Sequence, residues 1–135
     1  MEFRKIGIAT CVGLLSESRK LGKILRNHGF EVFGTTCKCG EQKKESIGCF
    51  AECNDAGLNM CNPILQAKIL NKEKTDLNIV TRLCVGHDRM FYKYSDAPVI
   101  TTVVKDRVLG HNPVAAIYQL DSYYKKLGND SDELK

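Results

Sequence analysis

The sequence predicts an α/β fold, an open and mostly parallel sheet of about four strands with helices on both faces. Three observations carry that prediction. Short β-rich apolar segments alternate with segments of helical period. The first strand–helix–strand stretch, Ile6 to Thr35, has the length of a parallel crossover unit. Helix start and stop residues fall between the strands where a doubly wound chain needs them.

In chain order, Ile6-Gly7-Ile8-Ala9-Thr10-Cys11 reads as a buried strand. Gly13 follows in a turn, and Ser16 is the expected N-cap of a helix reaching about His28. Leu21, Ile24, Leu25 and His28 form its apolar stripe, and Gly29 stops it. Phe30 to Thr35 is the second strand. Asn62-Pro63 opens the next helix, with Asn62 as N-cap and Pro63 in the first turn, running to about Lys72. Leu77 to Leu83 is the third strand, a short helix spans His87 to Tyr94, and Pro98 to Val104 is the fourth strand. Asn112-Pro113 opens a last helix expected to lay Ile117, Leu120, Tyr124 and Leu127 on the sheet. The prediction is one domain over residues 1–127, with a cysteine-rich insert at about 37–61 and a flexible acidic tail over 128–135.

The 135 residues suffice for one hydrophobic core, and 43% hydrophobic with 27% charged residues is an ordinary globular composition. A net charge of +4 falls short of a nucleic-acid binder's footprint, and no aromatic-interleaved basic motif occurs. No apolar run has the length of a signal peptide or membrane span, so a cytoplasmic location is expected. In that reducing compartment seven cysteines, an odd number, argue against a disulfide framework and for metal ligation or thiol chemistry.

Where the cysteines fall sharpens this. Cys11 and Cys84 end predicted strands, Cys37 and Cys39 follow the second strand, and Cys61 and His111 directly precede predicted helix starts. Two short echoes underline the pattern: Cys11-Val12-Gly13-Leu14 with Cys84-Val85-Gly86-His87, and Cys61-Asn62-Pro63-Ile64 with His111-Asn112-Pro113-Val114. In a parallel sheet all these positions share the rim at the strands' carboxyl ends, where such folds bind ligands. Free N–H groups at helix starts favour the thiolate, the form that zinc or an iron–sulfur cluster requires.

The candidate metal ligands are therefore Cys11, Cys37, Cys39, Cys61, Cys84, His87 and His111. Cys39, Cys61 and Cys84 are the expected core, joined by Cys11 or Cys37, with His87 or His111 close by; the cofactor is zinc or an iron–sulfur cluster. Cys49 and Cys53, four residues apart, are further candidates or merely local. Asp88 and Asp106 could orient the histidines. His28 is explained by its place at a helix end.

A rival reading makes Cys84 a thiolate nucleophile with His87 or His111 as base. A weaker one is a small-molecule or phosphate binder, which lacks both G-x-G-x-x-G and P-loop patterns. Whether a reaction is catalysed is not readable from these residues, and assembly into a homo-oligomer is left open.

The run Leu83-Cys84-Val85-Gly86-His87-Asp88, with Lys93-Tyr94-Ser95, Ala97-Pro98-Val99, Val103 to Val108 and Gly110-His111-Asn112-Pro113, is distinctive. With Cys37-Lys38-Cys39-Gly40, Cys61-Asn62-Pro63 and the opening strand, it resembles an uncharacterised family of predicted metal-binding proteins (domain of unknown function 1847) of archaea and anaerobic bacteria. The resemblance covers about Lys5 to Tyr118 and implies metal binding without naming a reaction. It also implies a further cysteine-rich stretch ahead of the first strand in many members, whereas here the first strand begins near Lys5.

Overall fold

The computed structural model describes residues 2–125. Four parallel strands form one open sheet: β1 (Lys5–Thr10), β2 (Glu31–Thr36), β3 (Leu77–Thr81) and β4 (Val99–Val103), in the order β2-β1-β3-β4. The chain moves outward from β1 to β2, then crosses back over β1 to β3 and on to β4. Crossovers of one hand that run in opposite directions put their helices on opposite faces.

The packing agrees. Helix α1 (Leu15–Asn27) lies over Ile8 and Val32, each 3.7 Å from where a Cβ on Gly22 would sit. Helix α2 (Pro63–Lys72) lies on the other face, where a Cβ on Gly7 would meet Leu70 at 2.7 Å and Asn78 Oδ1 at 2.1 Å. Neighbouring strand residues point to opposite faces, so Gly7 and Ile8 mark the two sides. Helix α3 (His87–Tyr94) packs beside α2.

The dense core is on the α2–α3 face: Ala9, Cys11, Cys37, Ala67, Leu70, Val80, Leu83 and Phe91 form one buried cluster. Phe91 and Leu70 are wholly enclosed. Burying a large apolar side chain contributes on the order of 2–3 kcal/mol. The α1 face is looser, with a cavity of about 260 Å³ between α1, β1 and β2.

Several local expectations are corrected. Ser16 is not the N-cap: a 3₁₀ turn over Val12–Leu14 leads straight into α1, which makes Ser16 part of the first helical turn. The sheet-facing stripe of α1 is Ser18, Leu21, Gly22 and Leu25, with Ser18 and Gly22 buried and Leu21 and Leu25 half-buried, while Ile24 and His28 are exposed. Strand β3 ends at Thr81 instead of Leu83 because Arg82 takes φ +58°, a turn conformation that no strand continues. The last helix, α4, covers only Val114–Tyr118 and buries no residue. Pro113, not Asn112, caps it, since the chain arrives from a closed turn in which His111 holds φ +67°. Leu120 and Tyr124 lie in turns beyond it, and Leu127 and the acidic tail over 128–135 fall outside the described residues.

The insert is folded. Two 3₁₀ segments, Lys44–Ile47 and Ala51–Ala56, are closed by an antiparallel bridge between Lys43 and Asn59. Among the described residues no helix is long and apolar enough to cross a membrane.

Candidate metal centre

β1 sends its crossover to one side and β3 to the other, so their carboxyl ends flank the switch point of the sheet, where open α/β folds leave a ligand crevice. A cleft of about 420 Å³ occupies that end of the molecule. Five cysteines face it, Cys11, Cys49, Cys53, Cys61 and Cys84, together with His87. Lys38, Lys44, Lys105 and Arg107 with the apolar Val12, Ile47 and Met60 complete the wall, and none of the described lining residues is acidic.

Cys84 and His87 share one tight turn at the start of α3. The His87 and Asp88 backbone N–H groups donate to the Cys84 carbonyl at 2.8 and 3.2 Å. Gly86 makes the turn possible by holding φ +89°, a conformation costly for any residue with a Cβ. The Asp88 carboxylate makes no hydrogen bond to His87; its Oδ1 accepts the N–H groups of Gly86 and Arg89 and so ties the first turn of α3 to the Gly86 turn.

Cys61 arrives from the far end of the insert. The Asn62 N–H donates to the Cys37 carbonyl at 2.8 Å, and Asn62 Oδ1 accepts the Leu65 N–H as N-cap of α2. One asparagine thus ties the exit of β2 to the start of α2 and sets Cys61 on the rim. The outcome is a compact group: the ligand atoms of Cys61, Cys84 and His87 all lie within 4.8 Å of one another.

The other candidates are placed differently. Cys11 and Cys37, each one residue beyond the paired ends of β1 and β2, are buried side by side. The Cys37 thiol donates to Cys11 and holds Cys11 as a thiolate, lowering its pKa to about 5; the Gly13 N–H and the charges of Lys105 and Arg82 act in the same sense. Cys37 is pushed the other way, first by that bond and then by burial, and keeps its proton.

Cys39 turns from the cleft and donates to the Asn62 carbonyl at 3.6 Å; burial raises its pKa. His111 does not line the cleft. Its Nδ1 accepts the Asp106 N–H at 3.1 Å, while the Asp106 carboxylate takes the N–H groups of Val108 and Leu109. His28 bonds the Ile24 carbonyl at the end of α1, as a helix-end histidine should.

Sequence reasoning passed over the basic residues. Lys105 Nζ donates to Cys84 Sγ at 2.8 Å, and Arg82 Nη1 lies 4.0 Å from Cys11 Sγ. A Cβ on Gly13 would sit 2.0 Å from that Nη1, so glycine leaves the guanidinium its room. For Lys105 the signal was available, because it sits just past the end of a predicted strand as the cysteines do; Arg82 falls inside the predicted third strand, which in the structure ends one residue before it, at Thr81. The C-x-x-H spacing of Cys84 and His87 was equally legible.

Comparison with known proteins agrees with the resemblance drawn from the motifs. The model of the family described as "Protein of unknown function (DUF1847)" matches residues 1–103. The chain belongs to that family. Within reach of it is the "Uncharacterized protein MJ0455" of Methanocaldococcus jannaschii, 53% identical over 129 residues, which cover 94% of this chain. The chain spans 65% of the length of that relative. The family description carries no activity, so the chemistry rests on the cleft: a cysteine-rich rim whose Cys–Cys–His group is compatible with metal binding.

Proposed function

We propose that the chain is a metal-binding protein that holds zinc through Cys61, Cys84 and His87. The observation that carries the reading is the gathering of two sulfurs and one imidazole within 4.8 Å. Tetrahedral zinc spaces such donors roughly 3.5–3.8 Å apart, so only a small closing movement is needed. Three protein donors leave a fourth position towards the cleft, the arrangement of zinc sites that act on a ligand rather than only brace a fold. Lys105 on Cys84 offsets thiolate charge and orients that sulfur. A reducing, cytoplasmic compartment suits a centre that needs free thiolates.

A second reading, an iron–sulfur cluster on Cys49, Cys53, Cys61 and Cys84, is favoured by one feature: those four cysteines share a cleft walled by basic side chains.

Anaerobic purification followed by elemental analysis and visible spectroscopy tests both. About one zinc per chain, lost in Cys61→Ser, Cys84→Ser and His87→Ala but kept in Cys39→Ser and His111→Ala, is the expected result. Iron with sulfide and visible absorbance, lost in Cys49→Ser and Cys53→Ser, transfers the site to the cluster. Metal-free protein that alkylates fastest at Cys84 overturns both and returns the site to a thiol nucleophile.

A further inference from the structure

The cluster of three donors leaves the buried neighbours Cys11 and Cys37 unused. β1 and β2 are parallel and in register up to Thr10 and Thr36, and each cysteine is the next residue of its strand. The Cys37 N–H donates to the Thr10 carbonyl at 2.9 Å, which carries the pairing one step past the strand ends. Adjacent strands run about 4.8 Å apart, inside the roughly 4.4–6.8 Å that a disulfide spans between Cα atoms. Both side chains enter the same buried cluster with Ala67 and Leu70, so they point to one face.

The surroundings are asymmetric. Both are buried, at 6% and 3% exposed, but Cys11 lines the cleft and Cys37 does not. Arg82 reaches over Gly13 to within 4.0 Å of Cys11 Sγ, with its own Nε buried and unpartnered. On the α2 side, Gln66 is fully buried and clamps the Thr10 and Thr35 carbonyls at 3.2 and 3.1 Å, which holds the two strand ends together. One sulfur therefore borders the cleft and a cation, and the other lies off the cleft beside it.

We propose that Cys11 and Cys37 form a thiol–disulfide exchange site, in which Cys11 attacks a low-molecular-weight disulfide entering the cleft and Cys37 resolves the adduct. In the first step the Cys11 thiolate displaces one thiolate from the incoming disulfide and forms a mixed disulfide. In the second, the Cys37 sulfur attacks Cys11, its proton leaves with the second small thiol, and the Cys11–Cys37 bond forms. The protein dithiol is oxidised by two electrons, and the small disulfide is reduced to two thiols. The site stands on a different observation from the zinc reading, because its two sulfurs are not among the three proposed zinc donors.

The test equilibrates the full chain with graded ratios of reduced to oxidised glutathione, quenches with acid, blocks free thiols and maps the peptides by mass spectrometry. Zinc content is measured on the same samples. The expected wild-type result is a single Cys11–Cys37 cross-link and the loss of two of the seven free thiols, with zinc retained. In Cys37→Ser the expected product is glutathione trapped on Cys11, and in Cys11→Ser Cys37 stays unmodified. A wild-type protein without the cross-link across the whole range overturns the proposal, and so does glutathione trapped on Cys37. Zinc lost on oxidation, or in either variant, also overturns it by making the pair metal ligands. A protein that binds no zinc but forms the cross-link removes the zinc reading and leaves the exchange site standing.

Discussion

The two ends of the four strands are built for different purposes. At the amino end no buried side-chain nitrogen or oxygen among the described residues lacks a partner. The Asp76 carboxylate accepts the backbone N–H groups of Arg4 and Lys5 at 2.8 and 2.7 Å, which keeps its pKa below the ordinary carboxylate value. Just inside, buried Asn78 bonds Thr75 and Ser95. At the carboxyl end sulfurs, an imidazole and cations meet round a cleft, Arg82 sits at φ +58°, and Gln66 Oε1 and Arg82 Nε are buried without partners. Buried polar groups are ordinarily satisfied, so the contrast sets a satisfied end against one that keeps unmet polar groups beside its cleft.

The largest effect that could break the contrast belongs to the carboxyl end. Cys84→Ser should weaken zinc binding by more than about 100-fold, since losing even a hydrogen-bond partner of a ligand costs 10–100-fold. Competition with a chromophoric chelator measures it, and an unchanged affinity removes Cys84 from the centre.

Gly7→Ala tests the other end. Its Cβ would press into Asn78 and Leu70, so a loss of about 1–3 kcal/mol in urea unfolding is expected from overpacking, with zinc stoichiometry unchanged. A change in stoichiometry would mean the two ends are not separable.

A third measurement sharpens the electrostatics. With metal removed, alkylation of Cys11 should stay level from neutral pH down to about 5 and then slow about tenfold per pH unit as the thiolate is protonated. A rate that already falls below pH 8 would deny Cys37, Arg82 and Lys105 their influence on that sulfur.

The smallest effect is that of Asp76→Asn. The wild-type pKa is lowered on folding, so the carboxylate's contribution is present at neutral pH and is lost as pH falls through the folded value. The variant should melt slightly lower than wild type at neutral pH, and the difference should vanish in acid. A gap that persists in acid would assign the effect to something other than the charge.

Much of this was legible in the residues. The alternation of apolar segments foretold a parallel α/β sheet, and Asn62-Pro63 marked the start of α2 where it is found. Placing Cys11, Cys37, Cys61 and Cys84 at one rim followed from the same reasoning. Errors gathered where local signals compete with burial. Ser16 looks like a cap but lies inside a helix, because a 3₁₀ turn consumes the residues before it. The apolar period after Pro113 looks like a long helix, yet α4 ends at Tyr118, with Ile117 63% exposed. Periodicity proposes a helix, and packing against a partner is needed to extend it.

By itself the sequence determined the order of elements and the chemical character of the rim, because caps, turns and apolar periods are local and each is written within a few residues. Only the tertiary structure decided which rim residues meet. The order β2-β1-β3-β4 sets the ends of β1 and β3 side by side, and the insert brings Cys61 back to the Cys84–His87 turn. A closed turn at Asp106 commits His111 to backbone, and the Asn62 carbonyl takes Cys39. Strand order comes from burying apolar surface between segments far apart in the chain, and no spacing within a motif records it.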